Sequence, residues 1–189
     1  MAALIAHASE HGSTKEIAER IAARMASHRL QTECLPIDRV TDMSPYKYVI
    51  VGSAVHAMRW LPPVEKFIHD RQKILSTVPV WTFSVGYPAG MPRILFGKHP
   101  EEKEEVKLEK YVNKMVQFRK HTLFNGKFDK ENAGSFFGWI FSLIGGHFGD
   151  SRDWDAIEKW ADGVAEEIKE MEGAQGGNAM VNTVLQPPT

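Results

Sequence analysis

The chain carries a single cysteine, Cys34, among 189 residues. No intrachain disulfide can form, and a reducing, cytoplasmic setting is the expectation. An excess of charge of either sign is also missing, with 23 Lys and Arg against 24 Asp and Glu and a formal net charge of -1. A nucleic-acid binder needs a basic face, so no nucleic-acid partner is expected. No stretch reaches the roughly 18 uninterrupted apolar residues of a spanning helix. The first residues run directly into a short apolar segment without a basic leader, so no secretory signal is read. At 43% hydrophobic and 25% charged residues, the composition is that of one globular domain with a real core.

What is present alternates between two periods. "ALIAHA" (3–8), "QTECLPI" (31–37), "YKYVIVGSAV" (46–55), "VPVWTFSV" (78–85) and "KHTLFNGKF" (120–128) read as strands. Between them, 13–28, 61–75 and 101–118 have helical spacing, with Ile17, Ile21 and Met25 on one face of the first and Pro62 and Pro63 tolerated in the opening turn of the second. Residues 152–171 form the clearest amphipathic helix, placing Trp154, Ile157, Trp160, Val164 and Ile168 on one face. The remainder, 172–189, reads as a flexible C-terminal tail. Five strands alternating with helices imply a parallel α/β sheet covered on both faces. Ligands of such sheets bind at the carboxyl ends of strands. The loops to inspect are therefore 9–14, 53–60 and 84–93.

"ASEHGSTKE" (8–16) joins the first strand to the first helix. A Walker loop needs G-x-x-x-x-G-K-[ST] and a dinucleotide loop needs G-x-G-x-x-G. Gly12 stands alone, so both readings fail. What remains is a loop of hydroxyls and backbone N–H groups at a helix N-terminus, chemistry suited to a single phosphate monoester. Ser13 and Glu16 also spell the S-x-x-E capping box, which would account for both residues without a ligand.

These residues resemble the phosphate loop of the flavodoxin-like superfamily, roughly [ST]-x-[T]-G-x-T, with Ser9, Gly12 and Thr14 in register and His11 where a hydroxyl is usual. "YKYVIVGSAVHAMRWLPPVEKFI" (46–68), "PVWTFSVG" (79–86) and "GDSRDWDAIEKWA" (149–161) extend the resemblance to flavodoxin-domain proteins related to the menaquinone-dependent protoporphyrinogen oxidases. The resemblance implies a three-layer sandwich with a five-stranded parallel sheet in order 2-1-3-4-5, one FMN-binding domain over 1–171, and FMN as cofactor. Carried over by position, Ser9, His11, Gly12, Ser13 and Thr14 would surround the phosphate. Ser53, Ala54, Val55, His56 and Ala57 would border the isoalloxazine ring. Ser84, Val85, Gly86 and Tyr87 would form the other wall. His56 replaces an aromatic frequent in the second loop, and is either a proton donor near flavin N5, hence the catalytic candidate, or a solvated loop histidine.

Other residues have plainer readings beside functional ones. Arg59 either meets an anion or is an exposed arginine. Asp153 and Trp154 suit an N-cap and a core residue. Cys34 suits a small buried hydrophobe better than a nucleophile. The segment 129–150 is an insert before the last helix, rich in Phe136, Phe137, Trp139, Ile140, Phe141 and Ile144. It would either cover the sheet edge as a short helix or offer 135–149 to a quinone, a hydrophobic substrate, a membrane surface or a second subunit in a homodimer. No metal site is read.

Three functions follow from the resemblance. The first is an FMN-dependent oxidoreductase acting through flavin N5 on a hydrophobic or aromatic small molecule or quinone. The second is a flavodoxin-type electron carrier that docks on a redox partner protein; such carriers present acidic faces, against which the net charge of -1 argues. The third is a flavodoxin-fold binding protein without FMN.

Overall fold

The computed structural model describes residues 2–86, 100–128 and 149–184. Its elements in chain order are β1 (Ala2–Ala8), α1 (Ser13–Ser27), β2 (Gln31–Pro36), a 3-10 turn (Ile37–Arg39), β3 (Tyr46–His56), β4 (Arg59–Trp60), α2 (Pro62–Asp70), α3 (Gln72–Leu75), β5 (Val80–Gly86), α4 (Pro100–Asn113), β6 (His121–Asn125), β7 (Lys127–Phe128), β8 (Gly149–Asp150) and α5 (Trp154–Val184).

The long strands are all parallel and lie in the order β2-β1-β3-β5-β6. Counting only these strands, the path is the expected 2-1-3-4-5. The departure is β4, an unexpected two-residue strand that pairs antiparallel with the end of β3. A separate small sheet pairs β7 with β8.

The central strands β1, β3 and β5 are buried on both faces, and alternate residues feed two cores. Ala3 and Ile5 of β1 join Ile17, Ile21 and Met25 of α1 and Ile157, Val164 and Ile168 of α5. Leu4 and Ala6, one position out of phase, join Val64, Phe67 and Ile68 of α2 and Val112 of α4. The period-2 geometry of a strand thus divides one apolar run between two helical layers, and the three-layer sandwich stands.

Three boundaries differ from expectation for local reasons. The helix expected over 61–75 breaks at Arg71, whose guanidinium donates to Val40 O at 2.6 Å and lies 4.4 Å from the Phe67 ring centre. The last strand breaks at Gly126, whose N–H donates to Gly86 O and whose carbonyl accepts from Ser151 N–H. The tail expected from residue 172 is instead helical to Val184, continuing the amphipathic helix that begins at Trp154. Asp153 caps α5 as expected, accepting from Ala156 N–H at 2.9 Å. Trp154 lies beneath two guanidinium groups, Arg152 at 4.6 Å and Arg20 at 5.6 Å. Burial pushes the Cys34 thiol up to about 11, so it is no nucleophile. The insert 129–148 lies outside the described residues, and among the described residues no helix is long and apolar enough to cross a membrane.

Gly52 pairs with Phe83 across β3 and β5. A Cβ on Gly52 would stand 2.1 Å from Phe83 Cζ and 2.5 Å from both ring ε carbons. Phe83 also meets Phe124 and Trp160 at ring separations of 6.0 and 6.1 Å, so the ring has neighbours where it would have to move. Gly52→Ala is expected to destabilise the fold by about 1–3 kcal/mol through overpacking. Thermal melts should fall by several degrees, and an unchanged Tm would contradict this packing.

Candidate functional site

The first loop leaves β1 beside β3, where Ala8 and Ser53 are register partners. It enters α1 through Gly12 at φ +87°, a left-handed conformation in which an L side chain is strained by about 1–2 kcal/mol. The expected capping box does not form. Gly12 is the N-cap and no side chain caps the helix, because a Ser cap requires extended backbone where the chain here turns left-handed. Ser13 is the first helical residue, and its Oγ accepts Lys127 N–H at 3.1 Å. Glu16 meets Arg152, at 2.5 Å, and Arg152 also grips Asp150. The N-terminus of α1 therefore presents its first-turn N–H groups without a side-chain cap among the described residues, an arrangement that favours an anion.

Ser9 Oγ lies in this loop, buried and without a hydrogen-bond partner among the described residues. Two residues earlier His7 is 4% exposed with Nδ1 unpaired, and burial holds its pKa below the ordinary value. Thr14 is buried in the first turn, whereas His11 is exposed and forms no hydrogen bond or ion pair among the described residues.

The second loop is a β-hairpin. β3 pairs with β4 through Val55–Trp60 and His56–Arg59, leaving a two-residue turn at Ala57 and Met58. Both turn residues have positive φ, +47° and +62°. Two buried hydroxyls clamp the hairpin. Ser53 Oγ donates to Ala54 O at 2.8 Å and accepts Leu61 N–H at 3.0 Å. Ser84 Oγ accepts from Trp60 Nε1 at 2.7 Å and meets His121 Nε2 at 3.3 Å, while His121 Nδ1 meets Thr82 Oγ1 at 2.9 Å. At the open side, His56 Nε2 stands 2.6 Å from Glu10 Oε2, joining the first loop to the second. Arg59 turns away to Glu65, which also accepts from Tyr111.

The third loop begins at Gly86; Tyr87 lies outside the described residues. Gly126 closes on its start. A Cβ there would fall 3.0 Å from Val85 Cγ1 and 3.1 Å from Ser13 Oγ.

The structure thus brings Ser9, His11, Gly12, Ser13 and Thr14 together at one helix end, with Ala54, Val55, His56 and Ala57 in the hairpin beside it. It turns the side chains of Ser53, Ser84 and Val85 inward. Both serine hydroxyls are taken up by the scaffold, so any contact those residues make with a ligand is through backbone. Sequence reasoning missed Glu10, Trp60, His121 and Gly126. The signal for the buried network was there, since Thr82, Ser84 and His121 interrupt otherwise apolar strands.

Desolvation pushes the His121 pKa down to about 4 from its ordinary 6.5. The folded state therefore keeps the imidazole neutral where the unfolded chain takes up a proton. Stability from this residue is full above about pH 6.5 and lost as pH falls toward 4, by about 3 kcal/mol. His121→Leu should flatten this part of the stability profile, measured by denaturant unfolding between pH 4 and 7. An unchanged pH slope would rule out His121 as its source.

Comparison with known proteins follows the same lines. The flavodoxin domain family model matches residues 4–138. A sequence search against curated proteins finds no match. Among solved structures, a flavodoxin from the domain Archaea superposes with a TM-score of 0.54 at 16% identity, covering 89% of this chain and 99% of that one. The Streptococcus pneumonia TIGR4 flavodoxin gives 0.54 at 13%, covering 88% and 99%. The rubredoxin oxygen:oxidoreductase of the anaerobe Desulfovibrio gigas gives 0.55 at 15%, and this chain spans 36% of its length while 89% of this chain is covered. At such identities the likeness is one of fold. The family match over 4–138, well beyond half of the chain, carries the assignment, and this chain belongs to the flavodoxin domain family.

Proposed function

We propose that this protein is an FMN-dependent oxidoreductase. The single observation that carries the cofactor is Ser9 Oγ, a buried hydroxyl that has no partner among the described residues, in the loop ahead of a helix N-terminus without a side-chain cap. Buried hydroxyls are ordinarily hydrogen-bonded. An acceptor with several oxygens, such as a phosphate monoester, satisfies the hydroxyl and the first-turn N–H groups together. Ser9, Gly12, Ser13 and Thr14 would hold that phosphate. The β3–β4 hairpin and the start of the third loop, through Ala54 to Ala57 and Gly86, would flank the ring.

FMN supplies electron or hydride exchange at N5 when bound. The chain's part is to hold and orient it. Gly12 lets the backbone approach closely, and the two serine clamps fix the hairpin. His56, paired with Glu10 at 2.6 Å, places a proton-handling ring at the open edge. A hydrophobic or aromatic substrate or a quinone is the substrate class we favour, on the resemblance of residues 46–68 and 79–86 to the protoporphyrinogen oxidases. A carrier without its own substrate is the second reading; its support is that this chain covers 99% of a flavodoxin's length.

Purified protein titrated with FMN should bind it one to one and show flavin absorption. Ser9→Ala should weaken binding about tenfold, the worth of a hydrogen bond to a charged group, without lowering the stability of the flavin-free protein. Gly12→Val should abolish binding while circular dichroism stays native. Multiple-turnover reduction of a soluble quinone would support the enzyme, and its absence would favour the carrier. A protein that takes up no FMN contradicts both.

A further inference from the structure

A carboxylate already stands at the end of α1 where the proposed phosphate would sit. Glu16 lies in the first turn of the helix, and its Oε1 is 3.8 Å from the point that a Cβ on Gly12 would occupy. Acidic side chains are drawn to a helix N-terminus by the same partial positive charge that draws a phosphate. The two anions therefore compete for one helix end, and at short range they repel each other. Neighbouring charges are engaged elsewhere. Lys15 meets Glu19 at 3.8 Å, and Glu10 meets His56 at 2.6 Å.

What holds Glu16 is Arg152, whose Nη1 donates to Glu16 Oε2 at 2.5 Å. The guanidinium is itself fixed. Its Nε and Nη2 donate to the two Asp150 carboxylate oxygens at 2.8 and 2.6 Å, and its Cζ lies 4.6 Å from the Trp154 ring centre. The Arg152 side chain is only 7% exposed, so it is no solvated arginine free to swing. The segment that carries it is tied to the same helix end. Ser151 N–H donates to Gly126 O at 3.2 Å, and Lys127 N–H donates to Ser13 Oγ at 3.1 Å. Glu16 by contrast is 54% exposed, and a pair with so exposed a carboxylate contributes little to stability. Its effect is on where the carboxylate stands.

We propose that Arg152 is a positioning residue of the first-loop site, drawing the Glu16 carboxylate off the end of α1 and leaving the first-turn N–H groups to a phosphate monoester. This rests on the FMN reading and adds to it a residue that acts through Glu16.

The test is a double-mutant cycle read as the Kd for FMN, followed by flavin fluorescence quenching. Arg152→Gln should raise the Kd about tenfold, since it releases a unit negative charge beside the phosphate. Glu16→Gln should leave the Kd within about threefold of the parent, and Arg152→Gln combined with Glu16→Gln should return to the same range. An arginine needed only to hold the backbone would not be rescued by removing a carboxylate. Arg152→Lys keeps the positive charge without the two-pronged grip, and should also stay within about threefold. Arg152→Gln binding like the parent, or a double variant as weak as Arg152→Gln alone, overturns the role of Arg152 while leaving the FMN reading intact. A tenfold loss in Glu16→Gln or in Arg152→Lys overturns it equally, and these two variants decide the matter if Arg152→Gln does not fold. A parent protein that binds no FMN overturns that reading and this assignment together.

Discussion

The close approach of Phe83 to Gly52 is the contact on which the arrangement of the site depends. A missing Cβ on β3 lets an aromatic ring from β5 lie directly against the strand. From that position Phe83 meets Phe124 of β6 and Trp160 of α5, and Phe124 meets Trp160 at 5.8 Å. Three strands and the long C-terminal helix are thereby locked together one residue before Ser53, where β3 begins to leave the sheet. Close-packed interiors transmit such constraints, so the direction in which the hairpin departs is set by a core contact beneath it.

On the opposite face the same strands use polar chemistry. Thr82, Ser84, His121 and Trp60 form one connected buried chain of hydrogen bonds. Burial keeps its imidazole neutral, so the network involves no buried charge and avoids the large desolvation cost of one. Its effect is directional. Apolar packing alone would leave β4 free to slide, whereas an indole N–H aimed at a serine oxygen holds it at one register. Ser53 does the same at the other end of the hairpin. The residues that resemble a flavin-binding loop thus divide into a buried set that builds the hairpin and an exposed set, His56 and Ala57, at its edge.

Charge is handled in a similar way around the first loop. Glu10 meets His56 and Glu16 meets Arg152, so both carboxylates beside the helix N-terminus already have partners. A phosphate arriving there meets N–H groups and hydroxyls with the nearby carboxylates already paired. The helix end needs no lysine or arginine of its own to favour an anion.

The sequence by itself determined the parallel α/β sandwich. Its central strands are apolar on both faces, as a sheet covered on both sides requires, and helical periods alternate with the strands. It also marked the first loop as the place to look for an anion, because a lone glycine among hydroxyls before a helix excludes the common nucleotide motifs. The hairpin was illegible. Ala57-Met58 is no turn signal, and the reversal there is held by the β3–β4 pairing and by the hydrogen bonds that Ser53 and Ser84 accept from Leu61 N–H and Trp60 Nε1. The capping box was legible yet wrong, since Gly12 enters the helix left-handed and moves Ser13 past the capping position. Which serine hydroxyls the scaffold takes up, and which it leaves without a partner among the described residues, was decided by tertiary structure alone. Strand alternation assigns a side chain to one face or the other, and what that face meets depends on elements distant in the chain, here Trp60, Leu61 and His121.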